Sequence, residues 1–170
     1  MYKTILALDV VTVADVLATP RVLGDALHAT EAGERLSRDL AGTVEAVRAR
    51  AAGLRRPRVL FVVGHEPLVV AGPGSFPYEL LRICGAENAV REGRPWAVYP
   101  LEKAVADDPE IVVDAAPQEP AEGMRRLSAV GAVRRGAVVR LASDDLIRPG
   151  PRMVRALGDL FLRLHPEAAR

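Results

Sequence analysis

Residues 96–114 read WAVYPLEKAVADDPEIVVD and combine a loop, a short helix and an apolar strand. Pro100 favours the start of the helix, because the first N–H of a helix has no intrahelical partner. Glu102 then falls in the first turn, at the positive end of the helix dipole, and the residues at 107–109, Asp-Asp-Pro, end the helix. Residues 111–113 are apolar without alternation, which is typical of a strand buried on both faces. We expect the loop that carries the tryptophan to border a ligand site, because binding residues concentrate on such loops.

Further strands and helices alternate on both sides of this stretch. Residues 59–63, VLFVV, are β-branched and apolar and are bounded by Pro57 and Gly64, which predicts a strand. The other predicted elements are a strand at 137–141 and helices at 75–84, 120–130 and 151–164. The alternation predicts an α/β fold, with a parallel sheet flanked by helices.

The first 56 residues have a different pattern. We expect a short strand at 4–8, then a helix that starts at Thr12, with Asp15 in a capping box, and runs to about Leu17. Pro20 then either kinks this helix or opens a second segment that runs to about Leu27. Thr30 is a candidate N-cap for a helix over residues 31–54, about 35 Å long at 1.5 Å per residue. The sequence therefore predicts two parts: residues 1–56, which include a long joining helix, and an α/β part at 57–170.

Composition limits the function classes. The chain has 170 residues, 49% of them apolar, and a net charge of +1, which fits one folded domain and gives no electrostatic basis for nucleic-acid binding. Cys84 is the only cysteine, so we predict a buried core thiol and no disulfide. No stretch has metal-ligand spacing, and no metal or cofactor is predicted. No transmembrane run and no signal-peptide pattern is present, which fits a cytoplasmic protein or a mature or trimmed form.

Two short motifs could carry chemistry, and each has a simpler interpretation. The sequence GPGS at 72–75 precedes a helix and could cradle a phosphate, but a tight turn with a helix N-cap is favoured. Gly64-His65-Glu66 ends a strand and resembles the late histidine motif of histidine phosphatases, but the Arg-His-Gly motif of those enzymes is missing. His65 and Glu66 could contact a ligand or could be solvated loop residues. His165, beside Pro166, is expected to be solvated.

Two further sets of residues are candidates for binding. Asp144 and Arg148 lie four residues apart after a predicted strand, where they either pair with each other or bind the polar edge of a ligand. Trp96, in a charged and proline-rich segment, is expected to be partly exposed. Glu102 is either an ordinary helix-terminus carboxylate or an exposed anion that binds a basic partner.

Taken together, the motifs resemble the C-terminal half of the class III substrate-binding proteins of ABC importers, which capture vitamin B12, haem and iron–siderophores. The resemblance is carried by several segments in the family's order, listed here: RVLFVVG, AGPGSFPYELLRICGAENAV, PW with a glutamate six residues after the tryptophan, DPEIVV and RPGPR. Within the family, the chain is most similar to the group that binds cobalamin.

The resemblance implies roles for individual residues. Trp96 would contact the corrinoid, Asp144 and Arg148 would reach its amide side chains, and Glu102 would dock on arginines of the membrane permease. Two ligand-facing aromatic positions of the group fall on Val63 and Val69 here. That difference leaves another corrinoid, haem or a siderophore open as the ligand.

The resemblance also implies a partner for this chain. Family members have two α/β lobes joined by a long helix, and residues 12–54 and 58–170 match only the end of the first lobe, the helix and the second lobe. We therefore expect self-association or a complementary N-terminal lobe, and a periplasmic location. The alternative function is a cytoplasmic α/β enzyme of phosphoryl chemistry built around Gly64-His65-Glu66.

Overall fold

The computed structural model describes residues 5–169. Within them, six strands form one sheet: β1 Arg58–His65, β2 Leu68–Ala71, β3 Glu87–Asn88, β4 Trp96–Val98, β5 Ile111–Asp114 and β6 Val138–Arg140. The α-helices in the same part of the chain are α1 Val13–Ala26, α2 Thr30–Ala51, α3 Phe76–Ile83, α4 Leu101–Ala106, α5 Gly131–Arg134 and α6 Pro151–Leu164. Two 3-10 helices cover Ala121–Leu127 and Pro166–Ala169.

The sheet is mixed rather than fully parallel. Its strand order is β4-β2-β1-β5-β6, with β3 beside the start of β1. Strands β1, β3, β5 and β6 are parallel, as predicted, but β2 pairs antiparallel with both β1 and β4. The chain reverses tightly between His65 and Leu68, which are paired, so the apolar run after Pro67 returns along β1 instead of continuing as a loop.

Strand β1 lies at the centre of the core. Val59 and Phe61 belong to one buried cluster, while Leu60 and Val62 belong to a second cluster on the opposite face of the sheet. All four side chains are 0% exposed. This arrangement confirms that the uninterrupted apolar run is a strand buried on both faces.

The N-terminal helices differ in detail from the prediction. Thr12 and Asp15 form the expected capping box, but α1 continues through Pro20 to Ala26. An internal proline costs a helix about 3 kcal/mol, and close packing offsets that cost here: a Cβ at Gly33 of α2 would lie 2.3 Å from the carbonyl oxygen of Pro20. Only glycine permits this approach of the two helices.

Helix α2 is the predicted long helix, with shifted ends. It begins at Thr30, which is its first residue and not its cap, and ends at Ala51. The predicted face is buried at Leu40, Val44, Val47 and Ala51, while Leu36 is 38% exposed. The buried face belongs to the same core cluster as α3 and α6.

Two other expectations need correction. Residues 5–8 form no strand, and Ile5 is 89% exposed, because this apolar run has no strand beside it in the described chain; Thr4 lies outside the described residues. The helix predicted at 120–130 is a 3-10 helix followed by the short α5. Among the described helices, none is long and apolar enough to cross a membrane.

Candidate functional site

The carboxyl ends of three neighbouring parallel strands meet at one edge of the sheet, which we call the carboxyl edge. His65 ends β1, Asp114 ends β5 and Arg140 ends β6. In open α/β sheets, ligands bind outside the carboxyl ends of strands. Polar side chains at this edge are therefore the first candidates for a site.

These side chains form a buried charged cluster that includes Glu119 from the loop after β5. His65 Nε2 lies 2.9 Å from Asp114 Oδ1, His65 Nδ1 lies 3.1 Å from Glu119 Oε2, and Arg140 Nη1 lies 3.2 Å from Asp114 Oδ2. The side chains of His65 and Asp114 are 2% and 0% exposed. His65 is thus not a solvated loop residue, because two carboxylates enclose its ring.

Backbone contacts tie the cluster to the adjacent loops. The Glu119 carboxylate accepts a hydrogen bond from the His65 N–H at 2.9 Å, and Asp114 accepts one from the Ala116 N–H at 3.2 Å. Arg140 Nη2 donates to the carbonyl oxygen of Glu119. Each loop that leaves the carboxyl edge of β1, β5 or β6 is therefore held by at least one member of the cluster.

Three buried atoms of the cluster have close neighbours but lack aligned hydrogen bonds: His65 Nδ1, Asp114 Oδ2 and Arg140 Nη1. Their neighbours lie within ion-pair distance, so the attraction is electrostatic rather than directional. Buried charges are costly unless they are paired. Such groups are kept where they hold a particular arrangement or serve a site.

Asp144 and Arg148 lie in the loop that follows β6 at the same edge. The loop starts at Leu141, whose N–H donates to the Asp114 carbonyl oxygen at 2.8 Å. Asp144 and Arg148 form an ion pair with each other, and their side chains are 28% and 70% exposed. At this exposure the ion pair contributes well under about 1 kcal/mol to stability. Little free energy is therefore lost if the two groups separate to bind a ligand.

Trp96 starts β4, which lies at the opposite end of the strand order from β6. The residue is 44% exposed, as predicted, and its ring packs edge-to-face on Phe76 at 5.9 Å. Phe76 follows the GPGS turn, in which Ser75 accepts a hydrogen bond from the Tyr78 N–H and donates one to the Gly72 carbonyl oxygen. The turn therefore caps α3, which confirms the interpretation favoured from the sequence.

Val63 and Val69 lie near the turn between β1 and β2. Val69 pairs with Gly64, and both valines are half-buried. Both valines are therefore close to the carboxyl edge, where His65 pairs with Leu68.

Glu102 lies in the first turn of α4 and is exposed. The helix is anchored by Tyr99, which is 6% exposed and donates its hydroxyl hydrogen bond to Asp107 at the other end of the helix. Burial raises the pKa of Tyr99 above its usual range. The structure thus presents Glu102 to solvent on a fixed helix.

Two residues outside the carboxyl edge are core residues. Cys84 is 0% exposed, as predicted, and burial raises the pKa of its thiol to about 12. His165 was expected to be solvated, but it is 1% exposed because Nε2 contacts the Cys84 carbonyl oxygen at 2.8 Å and the ring packs on Phe161.

The sequence alone did not identify Asp114, Glu119 or Arg140. The signal was present, because Asp114 and Arg140 are the charged residues that end apolar strands. Two grooves, of about 540 Å³ and 460 Å³, are lined by residues away from the carboxyl edge. In the described residues, no group of three or more His, Cys, Asp or Glu side chains could hold a metal ion.

The chain is similar to known binding proteins in both sequence and fold. It is 28% identical to the vitamin B12-binding protein of Salmonella typhimurium over 153 residues, which covers 89% of this chain and 57% of that protein. The chain therefore spans little more than half the length of this relative.

Two solved structures have the same fold. The periplasmic vitamin B12 binding protein BtuF of Vibrio cholerae superposes with a TM-score of 0.77 and 20% identity, covering 96% of this chain and 65% of that chain. The periplasmic heme-binding protein RhuT from Roseiflexus sp. RS-1 superposes with a TM-score of 0.79 and 24% identity, covering 94% and 65%.

A family model described as periplasmic binding protein matches residues 2–144. This match covers most of the chain, including α1, α2 and the strands β1 to β6. The chain belongs to the periplasmic binding protein family.

Proposed function

We propose that this chain is a substrate-binding component of an ABC importer for a metal chelate, with a corrinoid as the first candidate. It supplies the C-terminal lobe, residues 57–170, and the helix that joins this lobe to another. The observation that carries the proposal is the 28% identity to a vitamin B12-binding protein, in which the matched region includes the whole carboxyl edge. The periplasmic names of the structural relatives favour a periplasmic location.

The ligand would lie against the carboxyl edge and the exposed ring of Trp96. Asp144 and Arg148 bind its polar periphery, and the half-buried Val63 and Val69 leave room for a bulky macrocycle. His65 does not contact the ligand, because its ring is enclosed by Asp114 and Glu119. Its role is to hold the adjacent loop in position.

Glu102 is the proposed permease contact. It is exposed on α4, and Tyr99 fixes this helix to the sheet. A carboxylate on a rigid helix suits a basic partner surface, because little side-chain or backbone entropy is lost on docking.

The chain is proposed to bind without chemistry. A phosphoryl-transfer role at Gly64-His65-Glu66 would need an accessible histidine, whereas the His65 side chain is 2% exposed and enclosed by carboxylates. Those carboxylates would also repel a phosphate ester. No feature of the site favours the enzyme over the binder.

Calorimetric titration with cyanocobalamin, hemin and a ferric hydroxamate siderophore tests the proposal. Saturable binding of one chelate, weakened in Arg148→Met and unchanged in the matched control Arg155→Met, is the expected result. Arg155 is exposed on α6, so its loss removes the same charge away from the edge. Absence of binding by all three chelates, from a protein with cooperative unfolding, would refute the proposal.

A further inference from the structure

We infer that Glu119 and Arg140 form a second polar subsite at the carboxyl edge, one that recognises a carboxamide group on the ligand. The inference rests on the proposed function and deepens it, because it assigns a chemical class to the ligand's periphery. It concerns residues that are distinct from Asp144 and Arg148.

Both side chains reach the surface from a buried support. The Glu119 and Arg140 side chains are 39% and 35% exposed, while the His65 and Asp114 side chains behind them are 2% and 0% exposed. His65 contacts Glu119, and Asp114 contacts Arg140. The buried pair thus fixes the position of the exposed pair before any ligand arrives, which is what a preorganised site requires.

The two exposed groups are adjacent and of opposite hydrogen-bonding type. Arg140 Nη2 donates to the backbone oxygen of Glu119 at 2.5 Å, so the guanidinium lies beside this residue. The hydrogen bonds that Glu119 accepts within the described chain end on Oε2, and Oε1 faces Gly64. Both side chains are partly exposed, so the surface offers an N–H donor and a carboxylate acceptor on residues that contact each other.

A primary carboxamide matches this combination, because its oxygen accepts from a guanidinium and its NH₂ donates to a carboxylate. A carboxylate on the ligand could accept from Arg140 but would be repelled by Glu119. Specificity of this kind arises from the repulsive element as much as from the attractive one. The corrinoid periphery carries carboxamides, whereas the haem periphery carries carboxylates.

Unaligned buried atoms support a ligand-related role for the cluster. Asp114 Oδ2, His65 Nδ1 and Arg140 Nη1 lack aligned hydrogen bonds, although a cluster that served stability alone would gain by aligning them.

The experiment compares two corrinoids that differ in this group: dicyanocobinamide, with peripheral amides, and dicyanocobyrinic acid, with carboxylates. By calorimetry, the wild-type chain is expected to bind dicyanocobinamide about tenfold more tightly than dicyanocobyrinic acid. This ratio is smaller than a fully buried charge-assisted hydrogen bond would give, because solvent screens the partly exposed site. Glu119→Gln removes the repulsive charge and keeps an acceptor, so it is expected to reduce this ratio to about threefold or less.

Two controls separate recognition from structure. Glu122→Gln removes an exposed carboxylate three residues away and is expected to leave the ratio at the wild-type value. If Glu119→Gln fails to fold, Glu119→Asp keeps the charge and shortens the side chain; it is expected to weaken both corrinoids and to leave the carboxylate disfavoured.

Equal binding of both corrinoids by the wild type, or an unchanged ratio in Glu119→Gln, overturns the subsite while the importer role stands. Binding of hemin but of neither corrinoid also overturns the subsite alone. Failure to bind either corrinoid, hemin or the ferric hydroxamate siderophore overturns the proposed function, and the subsite with it.

Discussion

Replacing Asp114 by alanine is expected to lower the free energy of unfolding by about 3–5 kcal/mol, the cost of breaking a buried ion pair. Asp114 is 0% exposed and contacts His65, Arg140 and the Ala116 N–H at 2.9, 3.2 and 3.2 Å. The orphaned Ala116 N–H costs about 1–3 kcal/mol, and the enclosed imidazole loses a partner. Arg140 adds less, because its partly exposed guanidinium can turn to water.

Asp114→Asn separates charge from shape. The amide keeps an acceptor for the Ala116 N–H, but it removes the charge and turns an NH₂ donor toward Arg140 Nη1. We expect a loss of about 1–2 kcal/mol, smaller than that of the alanine variant. Urea denaturation of both variants, followed by far-UV circular dichroism, measures the two values. Asp159→Asn, on the exposed face of α6, is the matched control and is expected to stay within about 0.5 kcal/mol of wild type.

The reasoning would be refuted by an alanine variant within about 1 kcal/mol of wild type, or by asparagine and alanine variants of equal stability. Either result would mean that the buried cluster does not hold the three loops of the carboxyl edge. The m-value should change little, since one side chain contributes only a small part of the surface exposed on unfolding.

Three further predictions follow from burial and exposure. Burial raises the pKa of the Cys84 thiol to about 12, so at pH 8 the group stays protonated and a disulfide reagent should react only after the protein is unfolded; rapid reaction of the native protein would contradict this. Tyr99→Phe removes the hydroxyl bond to Asp107 and should cost about 1 kcal/mol in urea denaturation, with hydrogen exchange increased in α4; an unchanged exchange rate would show that Tyr99 does not anchor the helix. Leu23 and Leu27 are 38% and 72% exposed, so light scattering at micromolar concentration should show self-association that the double substitution to serine reduces; a wild-type monomer would count against an unpartnered apolar face.

The central part of the fold could be predicted from local sequence because local pattern and tertiary environment agree there. β1 is apolar on both faces and is covered on both faces. Helix α6 ends at the expected Leu164, and the predicted stripe of Met153, Leu157 and Leu160 is buried. At these positions periodicity alone determines the element.

The antiparallel strands could not be predicted in the same way. Leu68–Ala71 lies between Gly- and Pro-containing segments that are typical of a loop, whereas its pairing with β1 and β4 depends on residues distant in sequence. Strand pairing is a tertiary property that short apolar runs do not reveal. Pro20 illustrates the reverse case, in which packing against Gly33 sustains a helix that local propensity would interrupt.

The exposure of candidate residues could be predicted better than the burial of charged ones. The exposure of Trp96 and Glu102 and the pairing of Asp144 with Arg148 followed from their flanking residues. The buried cluster did not, because the charge of Asp114 is compensated by Arg140 and His65, which are distant in sequence. Burial of His165 likewise depends on the carbonyl oxygen of Cys84.

The measurement that tests the central claim most directly is the fluorescence of Trp96, the only tryptophan of the chain. The residue is 44% exposed, so a ligand that contacts it should change its emission. Titration with cyanocobalamin, corrected for ligand absorbance, should give saturable quenching that is weakened in Arg148→Met and retained in Arg155→Met. Quenching that stays linear with cyanocobalamin, hemin and a ferric siderophore alike would contradict the claim that this edge binds a metal chelate.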